Sequence, residues 1–151
     1  MAETLGSLID KLSIIKLKQW HCEDNNKMEN LLLQEKQLQN EIDIFVEDAL
    51  SGDIPLERLV FKANKVYNKD KFHQSSDLMF SLGQIMSNLS KINCELWHEQ
   101  EKVYDFENVP VNEKNNVVNS IAILNLQRNQ CIDNIDQNFQ LKVSEKITKN
   151  N

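Results

Sequence analysis

The chain has 151 residues, 40% of them hydrophobic and 26% charged, which suits one domain long enough to bury a core. Its net charge of −6 argues against nucleic acid as a partner, because phosphate binding needs clustered Lys and Arg. Three glycines and two prolines are too few for turn-rich β folds or glycine-rich phosphate loops, so long helices with short connections are expected.

No apolar run reaches the roughly 18 residues of a membrane span, and Met1-Ala2-Glu3-Thr4 has no signal character, so no membrane partner is expected. Cys22, Cys94 and Cys131 are odd in number and widely spaced, which fits a reducing cytoplasm rather than disulfides or zinc.

Five helices are expected in chain order. The first spans about Thr4 to Asp24, with Leu5, Leu8, Ile9, Leu12 and Ile15 at helical spacing. Asn25-Asn26 interrupts or kinks the chain. The second spans about Lys27 to Leu50 on the stripe Met28, Leu31, Leu32, Leu38, Ile42, Val46 and Leu50, and Gly52 stops it. Asp53 and Pro55 open a short third helix carrying Leu56, Leu59, Val60, Ala63, Val66 and Tyr67. A loop over Asn68–His73 follows. The fourth runs from a cap at Ser75 or Ser76 to about Phe106, and the fifth from Asn112 to Val143, after which the tail from Lys146 should fray. The fold class is therefore all-α, an antiparallel bundle of four long helices plus one short one, in a single domain over 1–151.

An internal repeat organises this pattern. Leu12-Ser13…Ile15…Trp20-His21…Glu23-Asp24 returns 77 residues later as Leu89-Ser90…Ile92…Trp97-His98…Gln100-Glu101, and Val118–Asp133 carries a weaker echo. A helix turns about 100° per residue, so the repeat gives matching positions matching directions. Asn93 and Gln100 fall inside the fourth helix's apolar arc, and Lys16 and Glu23 are their equivalents on the first. Asn125 and Arg128 fall inside the fifth helix's arc, with Asn129 and Asp136 at its edge. Buried polar groups cost about 1–3 kcal/mol unless paired. These residues must form either a satisfied internal network or a polar pocket. Arg128 needs an acid, and Glu23 or Asp136 should supply it, with Asn93 or Asn125 alongside.

Trp20 and Trp97 lie at the margin of the arc, as packing aromatics with a polar edge. His21 and His98 point away from it. Glu95-Leu-Trp-His98 has the spacing of di-iron bundles, but both side chains face outward and the first copy has Lys18 in place of the acid, so no metal or other cofactor is expected. Asp10-Lys11 is expected to be solvated. Asp133 and Asp136, three residues apart, resemble half of a magnesium site of the all-α nucleotide pyrophosphohydrolase kind, whose glutamate-rich partner helix only Glu23 and Glu35 could supply. Ile14 and Leu17 on the first helix, with Ile123 and Leu126 on the fifth, form a second apolar set that suits a homodimer.

The segment Ile121–Asp136, together with Gln19–Asp24 and Asn93–Trp97, resembles a bacterial helical family of unknown function with the patterns Leu-Trp-x-x-Glu-Asp and Leu-Asn-x-x-Arg-Asn-x-x-Ile-Glu-x-Ile-Asp. Gly6-Ser-Leu-Ile-Asp10-Lys11 is similar to the start of a related small helical family. Ala122, Gln100 and Lys16 depart from the pattern. The resemblance implies a helical fold and an association with surface-sugar synthesis. Its motif residues are the same inward polar ones that phasing picks out.

The expected function is a binding or accessory protein with an internal pocket for a small polar or anionic ligand or a partner protein. The candidate ligand-binding residues are Lys16, Trp20, Glu23, Asn93, Trp97, Gln100, Asn125, Arg128, Asn129 and Asp136. A magnesium-dependent phosphohydrolase is the alternative.

Overall fold

Helix α1 spans Leu5–Trp20, and its start follows from Thr4, whose hydroxyl accepts the Ser7 N–H while the Ser7 hydroxyl accepts the Thr4 N–H. The computed structural model describes residues 3–61 and 80–151. Helix α2 spans Asn25–Ser51 and is capped by Asp24, whose carboxylate accepts the N–H groups of Asn26 and Lys27. The Asn25-Asn26 pair expected to interrupt the chain therefore opens a helix. Gly52 stops α2 with φ +89°, in the left-handed region that favours glycine, as the sequence implied.

Among the described residues the expected short helix is represented by a 3₁₀ turn, Leu56–Arg58. The rest of its stripe, from Ala63 to Tyr67, lies outside the described residues, as do the expected loop at 68–73 and the caps at Ser75 and Ser76. Helix α3 spans Leu82–Tyr104 and starts later than expected, because Ser81 has extended backbone and forms a reciprocal cap with Gln84. A 3₁₀ turn, Phe106–Asn108, leads through Pro110 to α4, Val111–Lys149. The tail expected to fray is helical as far as Lys149. No strand occurs among the described residues, and none of their helices is long and apolar enough to cross a membrane.

Helix α3 packs chiefly along α4, and α1 chiefly along α2 and then α4. The core joins Ile85, Leu89, Ile92 and Leu96 of α3 to Ile135, Phe139 and Val143 of α4, with Leu5 and Ala49 from the other two helices. Gln140 ties the Leu56 turn to α4 through a 2.7 Å bond to the Leu56 carbonyl. Helix α2 is the outlying element: of its 27 residues only Ala49 is fully buried. The two repeat copies sit in different surroundings. α1 ends at Trp20, which is 85% exposed, whereas Trp97 lies within α3 and is half-buried.

Candidate functional site

Three helices converge on one carboxylate. Asp10 of α1 is buried, and its two oxygens accept both arms of Arg128 from α4: Nε–H to Oδ1 at 2.8 Å and an Nη2–H to Oδ2 at 2.5 Å. Asn93 of α3, also buried, donates through Nδ2 to the same Oδ1 at 3.0 Å and to the Ser13 hydroxyl at 3.3 Å. Its Oδ1 is buried and meets no hydrogen-bond partner among the described residues. The bond to Asp10 is the main cause that raises the Arg128 guanidinium above its usual pKa. This fork-to-fork pairing fixes the facing rotations of α1 and α4.

The network surfaces in a cleft. A space of about 740 Å³ lies between α1 and α2, lined by Asp10 and Arg128 and by the apolar side chains of Leu8, Ile14, Ile15, Leu38, Ile44 and Phe45. Lys11, Lys18, Glu41 and Asp48 also line it. Lys11 pairs with Glu3 at 2.6 Å, and this bond, with a second from Ser7, holds the Glu3 carboxyl below its usual pKa. Arg128 has five N–H donors, and the two bonds to Asp10 use one each from Nε and Nη2. Its side chain keeps 32% of its surface open to solvent, against 7% for Asp10. The site thus offers apolar walls and a guanidinium held still by its own counter-ion.

Asp136 serves a different junction. It is buried, and its Oδ1 accepts the Gly6 N–H at 2.7 Å, with a further bond from the Thr4 side chain. An acid at the first turn of α1 complements the helix dipole. Burial nevertheless dominates and pushes its pKa up to about 6, against the two hydrogen bonds. The backbones meet closely here, since a Cβ built on Gly6 would stand 2.5 Å from the Ile132 carbonyl oxygen.

Of the residues expected from sequence, the structure brings Asn93 and Arg128 together and corrects most others. The acid on Arg128 is Asp10, not Glu23 or Asp136. Asp10, expected in solvent, is the centre of the network. Lys16 is exposed and bonds Glu35 at 3.0 Å and Gln19 at 2.9 Å. Hydrogen bonds from Gln19 first and then from Lys16 hold the Glu35 carboxyl below its usual pKa. Glu23 is exposed because α1 has already ended, so helical phase no longer applies to it. Gln100 is exposed for the same reason from the other side, because α3 runs on past the end of α1. Asn129 and Trp20 are exposed as well, and Asn125 is half-buried. Trp97 stacks on His21 at 4.8 Å and donates to Glu101 at 2.9 Å. His21 and His98 are exposed, as phasing indicated.

The missed residue left a signal. Gly6, Asp10 and Ser13 are spaced i, i+4, i+7, a row of small and polar residues on one face of α1. That row is the seam with α3 and α4.

No protein-family model, characterised protein or solved structure matches this chain. The geometry gives no support to the magnesium alternative. Asp136 is spent on the start of α1, Glu23 lies in the exposed link after α1, and no three His, Cys, Asp or Glu among the described residues are placed to hold a metal.

Proposed function

We propose that this protein is a binding protein whose α1–α2 cleft takes a small molecule with an apolar body and an acidic head, the head held by Arg128. The observation that carries this reading is a partly exposed guanidinium, clamped by Asp10, at an otherwise largely apolar cleft. A volume of about 740 Å³ suits a ligand of this kind, since small-molecule sites combine apolar walls with a few fixed polar groups. Preorganisation favours it too. Asp10, itself held by Asn93, keeps the guanidinium plane in place, so little side-chain freedom is lost on binding.

The scaffold we infer is an antiparallel bundle. The order of cross-helix bonds supports it: Gly6 meets Asp136 while Asp10 meets Arg128, and Gln19 reaches Leu31 while Lys16 reaches Glu35. As α1 advances, both neighbours recede.

The test is thermal unfolding with a panel of monocarboxylates, octanoate and phenylacetate among them, beside inorganic phosphate. Octanoate or phenylacetate should raise the Tm of the wild-type protein in a dose-dependent way. The Arg128→Met/Asp10→Leu double variant, which removes the pair together, should show no such rise. A rise of equal size in that variant, or none with any carboxylate in the panel, would overturn the assignment.

A further inference from the structure

The charges around the cleft are not all spent. Glu3 is paired with Lys11, and Asp10 with Arg128. On the facing helix, Glu41 and Asp48 also line the space, and both are half-buried. Glu41 accepts a bond from the Gln37 amide at 2.7 Å, and among the described residues neither carboxylate has an ion pair. The register of the two helices sets Glu41 across from the Arg128 clamp. Lys16 meets Glu35 and Gln19 meets Leu31, so each step toward the start of α1 is a step toward the end of α2. Asp10 thus comes level with Glu41, while Lys18 stands roughly 12 Å further along α1, beside Gln34. One wall of the cleft offers a guanidinium and the other offers a carboxylate.

We propose that the cleft selects a zwitterion, an apolar α-amino acid, with its carboxylate on Arg128, its ammonium on Glu41 and its side chain among Leu8, Leu38 and Phe45. This rests on the cleft being the ligand site. A ligand with an acid alone brings its charge toward Glu41 and is repelled by it. An ammonium on the carbon beside the acid turns that same carboxylate into a partner, without any change in the protein. Glu41 takes this role rather than Asp48, which lies one heptad further along α2. That step is roughly 10 Å, beyond the reach of an ammonium on the carbon next to the acid. The apolar side chains complete the selection, because Leu8, Leu38 and Phe45 line the same space.

Isothermal titration calorimetry on the full chain at neutral pH tests this with three probes of one skeleton. They are L-phenylalanine, 3-phenylpropionate, which lacks the ammonium, and 2-phenylethylamine, which lacks the carboxylate. L-Phenylalanine should bind the wild type roughly tenfold or more tighter than either of the others. Glu41→Gln keeps the side chain's size and its acceptor for Gln37 but removes the charge. In that variant L-phenylalanine and 3-phenylpropionate should bind about equally. L-Phenylalanine that binds the wild type no tighter than 3-phenylpropionate, or a preference that survives Glu41→Gln, overturns the proposal. The same probes keep it separate from the reading it rests on. If 3-phenylpropionate binds as tightly as L-phenylalanine and is lost in the Arg128→Met/Asp10→Leu variant, the ammonium contact falls and the acid site stands. If none of the three binds, both fall.

Discussion

Replacing Arg128 with methionine perturbs the network at its most informative point. The substitution keeps the stem's bulk and strands the Asp10 carboxylate, whose side chain is 7% exposed. Removing one partner of a fully buried pair costs about 3–5 kcal/mol, since the remaining charge is left without compensation. Arg128 is one-third open, so solvent already screens part of the pair, and Asn93 still donates to Asp10. The expected loss therefore falls to about 2–3 kcal/mol. At roughly 2–4 °C per kcal/mol for a chain of this size, the Tm should drop by about 4–12 °C. Adding Asp10→Leu should recover most of the loss, to within about 1 kcal/mol of wild type, because an apolar pair replaces an ionic one. Urea unfolding followed by circular dichroism measures both. A single variant within about 0.5 kcal/mol of wild type, or a double variant as weak as the sum of its parts, would refute the reasoning.

Gly6→Ala should cost about 1–3 kcal/mol, because its methyl would lie 2.5 Å from the Ile132 carbonyl oxygen and α1 would have to move off α4; unchanged urea stability would contradict this. Asp136 should make the protein less stable as pH rises from about 4 to about 6, because its pKa near 6 keeps the proton bound in the folded chain while the unfolded chain, near 3.8, has released it. The loss amounts to about 3 kcal/mol and levels off above pH 6, and Asp136→Asn, which still accepts the Gly6 N–H, should remove that component. A difference between wild type and Asp136→Asn that grew in favour of the wild type as pH rose would have the wrong sign. Asn93→Asp should destabilise at neutral pH and recover on acidification, since it sets a second carboxylate against Asp10; a flat pH response would exclude that contact.

Apolar periodicity carried most of the helical organisation. The stripes of α3 and α4 are long and bury what they mark, from Ile85 to Leu96 and from Val117 to Val143. Gly52 was legible because a left-handed stop has one chemical signature. Arg128 stood out as a permanent charge inside an apolar arc. Asp10 did not, because a small carboxylate beside Lys11 is what a solvated helix edge also looks like. Only its row with Gly6 and Ser13 set it apart. The errors at Glu23 and Gln100 share a cause. The repeat transferred the phase of one copy to the other, but α1 stops at Trp20 while α3 continues to Tyr104. Glu23 and Gln100 lost their expected cover there. Helix length, which sequence periodicity bounds poorly at a helix end, decided the exposure of these two.

In the proposed ligand site Arg128 holds the acidic head of a bound molecule. The chain has two arginines, Arg58 and Arg128, so their Nε–H signals can be told apart by nitrogen-resolved NMR with Arg128→Lys as the assignment control. On titration with octanoate, the Arg128 signal should move in a saturable way while the exposed Arg58 signal stays in place. An Arg128 signal that stays still while octanoate shifts backbone amides along the α1–α2 cleft would mean that the acidic head is not held by Arg128.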